Sequence, residues 1–323
     1  MKKTKRIAAL IVSLILALAL CSCSGKKGGA PEKDPNEREV KTRVSAVKSL
    51  EGYGAYKIMT DRSYAYDMKY YDSADEVISL IESGETDIAV LPAAAAAKVY
   101  NDGKAAVKMI CTAQAGGIHA VSKDAKIKSV GDLKGRTVCM LAEKTAGEIL
   151  MDTVFEENGL DPEKDFTLVE KASYDELTAL AKEKPEDVYI LPSDFAGSLL
   201  TKEKFKQAFS LNKMWKAAFE TAPVTACIIA REDYIRENPE IISEFLGFVE
   251  ISLNYTANNE TCGQSLTENG FFEDASLAYS AVSGANYEYL DGEAAKAACE
   301  KTFEILFADE GQIPGSDFYY IAT

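Results

Sequence analysis

The sequence predicts an α/β fold of mostly parallel sheets flanked by helices, and three observations carry that prediction. Short apolar runs of strand length alternate with helical patterns from about residue 40 to residue 230, which is the order of β-α-β units. The composition is that of a folded chain: 47% of the 323 residues are hydrophobic and 27% charged. That is too apolar for disorder and enough for one or two domains. Glycines and a proline cluster at 113–117 and 221–225, marking two breaks in an otherwise continuous pattern.

Each element follows from its residues. Residues 40–47 alternate enough for a strand, and Lys48-Ser49-Leu50-Glu51-Gly52-Tyr53-Gly54 reads as a loop. In 75–83, Val77, Ile78 and Ile81 share one helical face, and Gly84 supplies the left-handed stop. Residues 86–91 form a short apolar strand, which Pro92 closes before an alanine-rich helix over 93–100. Strands over 107–112 and 118–122 meet at Ala115-Gly116-Gly117. A second series follows: strand 137–141, helix 145–158 stopped by Gly159, strand 166–170, helix 174–184, strand 188–191 and helix 193–200. Residues 223–230 are a further strand, and the chain beyond Glu232 reads as helical.

The N-terminus carries an address. Residues 1–6 are basic, and 7–20 form an apolar run broken only by Ser13. A bilayer-spanning helix needs about 20 apolar residues, so 1–22 reads as an export signal rather than a stable span. It runs into Leu20-Cys21-Ser22-Cys23-Ser24-Gly25, which resembles the lipobox of bacterial lipoproteins. Cys23 has an aliphatic residue three places before it and a small one immediately before it, whereas Cys21 follows the bulky Leu20. The resemblance therefore implies lipidation at Cys23, and the polar 23–39 segment reads as a tether. An ordinary cleaved signal that happens to hold two cysteines is the plainer alternative.

Charge excludes several partners. The chain carries 36 Lys and Arg against 51 Asp and Glu, for a net −15. Four of those basic residues lie in the signal, so the remainder is more acidic still. Such a surface argues against nucleic acid and against a polybasic membrane grip. The five cysteines after Cys23 (Cys111, Cys139, Cys227, Cys262, Cys299) have no metal-ligand spacing and an odd count. Those in apolar runs read as small core hydrophobes. His119 is the one histidine; it sits on an apolar strand and reads as structural. No metal site and no cofactor motif is predicted.

In open α/β sheets, ligands sit off the C-terminal strand ends, where loops and helix N-termini converge. The first N–H groups of a helix are unpaired and receive anions. The candidate loops are 48–54, 91–94, 142–147 and 192–195. Their candidate contacts are Lys48, Tyr53, Leu91, Pro92, Ala93, Ala94, Thr145, Ser193 and Phe195. Lys48 can pair with an anionic group of the ligand or with Glu51. Tyr53 and Phe195 can stack on a ring or pack internally. Thr145 and Glu148 have capping-box spacing, which closes the helix end on itself, and that reading stands beside ligand binding.

Several segments resemble the extracytoplasmic solute-binding proteins of ABC importers, in the type II periplasmic-binding-protein group that includes sulfonate, nitrate and thiamine-precursor binders. Gly84-Glu85-Thr86-Asp87-Ile88-Ala89 matches the G-x-x-D-I-A strand of that group. Asp132-Leu133-Lys134-Gly135 with Val138 matches its D-L-K-G-K-x-V start of a second lobe. Asn158-Gly159-Leu160-Asp161-Pro162 matches its helix-to-strand turn, and Asn238-Pro239-Glu240 and Asp317-Phe318-Tyr319-Tyr320 resemble later segments. Where one subgroup reads K-G-P-T-G-x-G, this chain keeps Lys48, Gly52 and Gly54 and brings in Glu51.

The resemblance implies a two-lobe fold, with lobe one over 40–114 and 225–323 and lobe two over 115–224, joined by two hinge crossings. It adds Ser283, Gly284 and Asn286 as a last ligand-side segment. It implies capture of a small solute in the cleft, delivery to an ABC permease and its ATPase, a monomer, and an extracytoplasmic place anchored by lipid to the membrane. No catalysis is expected. The alternatives are an enzyme on the same fold, of the cofactor-pathway synthase or dehydratase kind, and a ligand-sensing lipoprotein.

Overall fold

A computed structural model describes residues 42–61, 66–308 and 312–322. The export signal, Cys23 and the tether therefore lie outside the described residues. From Val40 to Thr323 the chain is one compact unit.

The chain builds one sheet, crosses to a second, and returns. It opens with β1 (Thr42–Val47), two short turns of helix, α1 (Leu50–Tyr53) and α2 (Tyr56–Thr60), and β2 (Tyr66–Tyr71). Next come α3 (Ala74–Ser83), β3 (Ile88–Pro92), α4 (Ala93–Asp102) and β4 (Val107–Ala115). The second sheet is made by β5 (Ile118–Ser122), β6 (Thr137–Leu141), α5 (Ala146–Glu157), β7 (Thr167–Lys171), α6 (Tyr174–Glu183), β8 (Val188–Pro192), α7 (Ser193–Lys202), β9 (Lys206–Ser210) and α8 (Leu211–Phe219). The return strand is β10 (Val224–Arg231), followed by α9 (Glu232–Glu237), α10 (Pro239–Asn258), α11 (Thr261–Glu268), α12 (Ala275–Gly284) and α13 (Gly292–Leu306).

The two five-stranded sheets have matching orders, β2-β1-β3-β10-β4 and β7-β6-β8-β5-β9. In the first, β1 pairs in parallel with β2 and β3, while β10 runs antiparallel to β3 and β4. The second repeats this, with β6 parallel to β7 and β8, and β5 antiparallel to β8 and β9. Four of the five strands of each sheet thus run the same way, as expected, and a single strand, β10 in the first and β5 in the second, runs against them. The cause is connectivity: β5 and β10 arrive from the other sheet, not through a crossover helix that would force parallel pairing.

Both faces of each sheet are covered. Val77, Ile81, Ala97 and Phe303 pack on Leu91 and Ile229, while Phe245 and Val249 pack on Val90 and Ile228 from the opposite side. Trp215, Phe155 and Leu150 cover one face of the second sheet, and Leu177, Ala181 and Leu199 the other. Two-sided burial explains why these strands read as continuous apolar runs.

Several motif residues hold the fold. The Asp87 carboxylate, 5% exposed, accepts from the Arg43 backbone N–H at 3.0 Å and from its Nε at 2.9 Å, fastening β3 to β1. The Asp132 carboxylate accepts the backbone N–H groups of Lys128 and Ser129 at 3.1 and 3.0 Å. Tyr320 donates its N–H to the Met109 carbonyl at 2.9 Å, which seats the C-terminal segment on β4. The five cysteines among the described residues are buried thiols, and burial pushes Cys227 up to about 12.

Some elements escaped the sequence pattern. The expected 48–54 loop contains α1, which is only four residues long and has Gly52 inside it. The edge strands β2 and β9 are half exposed, with little apolar alternation to announce them. Helix α8 buries only Leu211 and Trp215, one i,i+4 pair, which is a weak signal.

Candidate functional site

The chain passes from the first sheet to the second at Gly116 and Gly117, whose φ values of 94° and 82° suit glycine. It returns between Phe219 and Val224. The two crossings touch: the Gly116 N–H donates to the Thr225 hydroxyl oxygen at 3.2 Å, and that hydroxyl lies 3.1 Å from Gln114 Oε1.

Beside these crossings a cavity of about 610 Å3 opens, with walls drawn from both sheets. Its floor includes Gln114, Gly116, Gly117, Ile118 and Thr225. One wall comes from the first sheet: Lys48, Ser49, Leu50, Glu51 and Tyr53 after β1, and Pro92, Ala94 and Ala95 at the start of α4. The facing wall comes from the second: Thr145, Ala146 and Gly147 at the start of α5, Tyr174, and Pro192, Asp194 and Phe195 at the start of α7. Phe272 completes it. This volume suits a small organic molecule.

Helices α1, α4, α5, α6 and α7 all begin on the cavity, and the ends of α4, α5 and α7 differ in what meets their unpaired N–H groups. At α5 the capping box forms: the Glu148 carboxylate accepts the Thr145 N–H and hydroxyl, each at 2.9 Å. Glu148 is 0% exposed, and burial raises its pKa. At α7 the second residue is an acid, and Asp194 Oδ1 accepts the Phe195 N–H at 2.9 Å. At α4 the cap is Pro92, with no side-chain hydrogen bond and no acid in the first turn. Of the three, α4 is the end with the strongest pull on an anion.

A likeness between the halves sharpens this contrast. Leu91-Pro92 ends β3 and Leu191-Pro192 ends β8, in equivalent places of matching sheets. Ala94 and Asp194 are then counterparts, each the second residue of its helix. One half presents a methyl group where the other presents a carboxylate.

The ionisable groups of the wall are unevenly provided for. Desolvation pushes the Asp194 carboxyl up to about 6, opposed by the Phe195 N–H and reinforced by the charge of Glu51. Desolvation, with the charges of Asp194 and Glu51, pushes the Tyr53 phenol up to about 12. Tyr174 is raised by burial and by the Glu148 carboxylate beside it. The Ser49 hydroxyl donates to the Glu51 carboxylate. Lys48 is exposed, its Nζ 5.7 Å from the centroid of Phe271.

Of the residues expected at the site, Lys48, Tyr53, Pro92, Ala94, Thr145 and Phe195 line the cavity. The Tyr53 ring also packs on Phe271 and Phe272, each at 5.4 Å. Phe195 lies 4.9 Å from Tyr174. Five others are placed elsewhere. Leu91 and Ala93 are enclosed in the core, because successive residues at the β3 end point to opposite sides. Ser193 is buried, and its hydroxyl donates to the Ala281 carbonyl at 2.7 Å. Ser283 is exposed, its hydroxyl 3.4 Å from the Ser280 carbonyl. Asn286 takes a left-handed φ of 56°, and its carbonyl accepts the Ala115 N–H at 2.9 Å. Sequence reasoning held Glu51 and Asp194 within the candidate loops 48–54 and 192–195 without naming them as contacts, and it left out Gln114, Tyr174, Thr225 and Phe272 as wall residues. Only the repeated Leu-Pro at a helix start could have pointed to Asp194.

His119 stands outside the wall and is 4% exposed. Its Nε2–H donates to the Gly284 carbonyl at 2.7 Å, and Nδ1 is buried without a hydrogen-bond partner. Desolvation lowers its pKa, so the ring is neutral near pH 7.

Comparison with known proteins follows the same lines. Residues 60–231 match a family model described as the periplasmic phosphonate substrate-binding protein of ABC transporters. No curated protein matches the sequence. Among solved structures, an ABC transporter protein from Parabacteroides distasonis is 19% identical with a TM-score of 0.71, over 88% of this chain and 100% of that one. The periplasmic aliphatic sulphonate-binding protein SsuA of Escherichia coli is 14% identical with a TM-score of 0.63, over 87% and 96%. A putative sulfonate-binding SsuA from Methylobacillus flagellatus is 16% identical with a TM-score of 0.60, over 87% and 93%. At these identities the likeness is one of fold.

Proposed function

The chain belongs to the phosphonate family of periplasmic substrate-binding proteins of ABC transporters, and from that premise we propose that it clamps a small organic anion in the cavity between its two sheets and hands it to an ABC permease with its ATPase. The observation that carries this reading is a cavity walled from both sheets, with an uncapped helix N-terminus and a lysine on one side. A ligand touching both walls favours the closed arrangement, and that difference in affinity is what drives closure. The lobes are 40–114 with 225–323 and 115–224, and they hinge at the crossings beside Gly116 and Thr225. The acid group of the ligand sits at the start of α4, near Pro92 and Ala94, within reach of Lys48. The protein works as a monomer, without a cofactor, held outside the cytoplasmic membrane by lipid on Cys23.

A thermal-shift panel of phosphonates, sulfonates, nitrate and pyrimidine precursors tests the reading. A ligand present at 100 times its Kd adds about 2.7 kcal/mol of stability. Lys48→Ala is expected to weaken the acid that scores by about tenfold, since a charge-assisted contact is lost. It should change the stability of the free protein by less than about 1 kcal/mol, because an exposed lysine contributes little to folding. An unchanged affinity in that variant removes Lys48 from the site, and a panel without any shift rejects these ligand classes.

The rival reading, an enzyme on the same fold with His119 as its base, needs that ring to reach the substrate. His119 is screened from the cavity and uses its N–H on Gly284, so it lacks that reach. Ligand incubated with the protein is expected to come back chemically unchanged by mass spectrometry, for the parent and for His119→Ala alike. Recovery of a product that the His119 variant fails to make would establish catalysis instead.

A further inference from the structure

Helix α12 ties the two halves together from outside the cavity wall. It follows β10 in the chain, and its Ala278, Ala281 and Val282 pack with Leu50, Tyr53 and Tyr56 of the first half. Another side of α12 lies against α7 of the second half, so close that a Cβ built on Gly197 falls 2.8 Å from Ser280 Oγ. The last four carbonyls of a helix have no partner within it, and two of those in α12 are met by the second half. Ser193, which begins α7, donates its hydroxyl to the Ala281 carbonyl, and His119 of β5 donates Nε2–H to the Gly284 carbonyl, each at 2.7 Å. Both donors are buried. The chain beyond α12 continues the tie. The Ala115 and Thr112 N–H groups donate to the Asn286 and Leu290 carbonyls, each at 2.9 Å, so this stretch runs beside the end of β4. From there Glu288 reaches Lys216 of α8, at 2.7 Å.

We propose that α12 and residues 284–290 form a strap that holds the cleft closed before any ligand arrives, with Ser193 and His119 as its releasable fastenings. This rests on the reading of the two halves as hinged lobes. When the lobes swing apart, α12 stays with the first, because its apolar face is buried there. The Ala281 and Gly284 carbonyls must then exchange their side-chain donors for water, and the α7–α12 packing must part. A hydrogen bond traded for water changes the balance only modestly, so the strap biases the equilibrium without freezing it. A larger closed fraction raises apparent affinity, since less of the ligand's binding energy goes into closure. The close approach at Gly197 makes the seam selective as well: a side chain there forces the two helices apart.

Thiol labelling of the purified, ligand-free protein tests this, with a polyethylene-glycol maleimide too bulky to enter the closed cavity. Ala94→Cys supplies the target, since Ala94 lies on the wall and a thiol at a helix start is reactive. Peptide mass spectrometry maps which thiols have reacted. The Ala94→Cys protein is expected to react slowly. Adding His119→Ala, Ser193→Ala or Gly197→Leu should speed the reaction at position 94 at least about tenfold. Cys139, buried in the second half, and Cys262, buried among the α12 contacts, should stay unreacted throughout. The first reports unfolding of the second half, and the second reports α12 leaving the first. Rapid reaction at position 94 with the strap intact overturns the inference, as does a gain in none of the three variants. A gain matched by Cys139 or Cys262 also overturns it, because the variants would then be unfolding the protein rather than releasing a strap. No ligand enters the experiment, so the panel above judges the receptor reading separately.

Discussion

Cys23→Ala is expected to shift the protein from the membrane fraction to the soluble fraction of cells, whereas Cys21→Ala should leave it on the membrane. The expectation rests on the Leu20-Cys21-Ser22-Cys23 segment and on what else could hold the chain in place. Among the described residues no helix is long and apolar enough to cross a bilayer. A net charge of −15 offers no electrostatic grip on anionic lipid. On the proposed reading acyl chains supply the anchor, at about 0.8 kcal/mol per buried methylene, and one chain alone binds only reversibly. Two or more chains on Cys23 would hold the protein, so the expected loss in the variant is close to all-or-none. Fractionation followed by immunoblotting reads the outcome. Release by the Cys21 variant alone moves the lipid to Cys21, and release by neither removes the anchor from the account.

Gly52→Ala is expected to be the most damaging small substitution in the ligand-side wall. A Cβ built on Gly52 falls 1.9 Å from the Val47 carbonyl oxygen and 3.0 Å from its carbon. Both are backbone atoms of β1, held in the sheet by pairing to β2, and they have no rotamer by which to withdraw. The Gly52 carbonyl also accepts from the Tyr70 hydroxyl at 3.1 Å, so α1 cannot lift away without losing that contact. A clash of this kind costs about 3 kcal/mol or more, which lowers Tm by roughly 6–12 °C in a chain this long. Because Glu51 and Tyr53 flank it on the wall, ligand affinity should fall as well. Gly247→Ala is the control. It lies within α10 with nothing inside 4 Å of a built Cβ, and replacing a helical glycine there stabilises by about 0.5–1 kcal/mol. Equal Tm values for the two variants would mean that α1 adapts, and the close approach at Gly52 would not matter.

Much of the fold was legible because its signals are local. Val77, Ile78 and Ile81 at helical spacing, with Gly84 behind them, forecast α3, and Gly84 does adopt φ 77° at its end. The Thr145–Glu148 spacing forecast a capping box, which forms. The loops chosen as ligand-facing run to the cavity, since a strand that ends at Pro92 or Pro192 must release its helix on that side. What stayed illegible had weak or nonlocal signals. The exposed edge strand Lys206–Ser210 offers little hydrophobic period. Ser193 and Asp194 are neighbours with nothing in sequence to say which one faces the cavity, yet the serine turns to Ala281 and the aspartate lines the wall.

The sequence by itself determined most of the order of strands and helices, the two crossings and the family-like motifs, and it carries the expectation of an export signal with a lipid site. Each of these is written in the spacing of residues close together along the chain, where turn chemistry and hydrophobic period act. Only the tertiary structure decided that one strand of each sheet runs against the other four, that Leu91 and Ala93 face the core, and that Glu51 and Asp194 share one cavity. Those two carboxylates are 143 positions apart and belong to different sheets. What brings them together is the packing of two β-α units whose strand ends face each other, a relation between surfaces that no local pattern encodes.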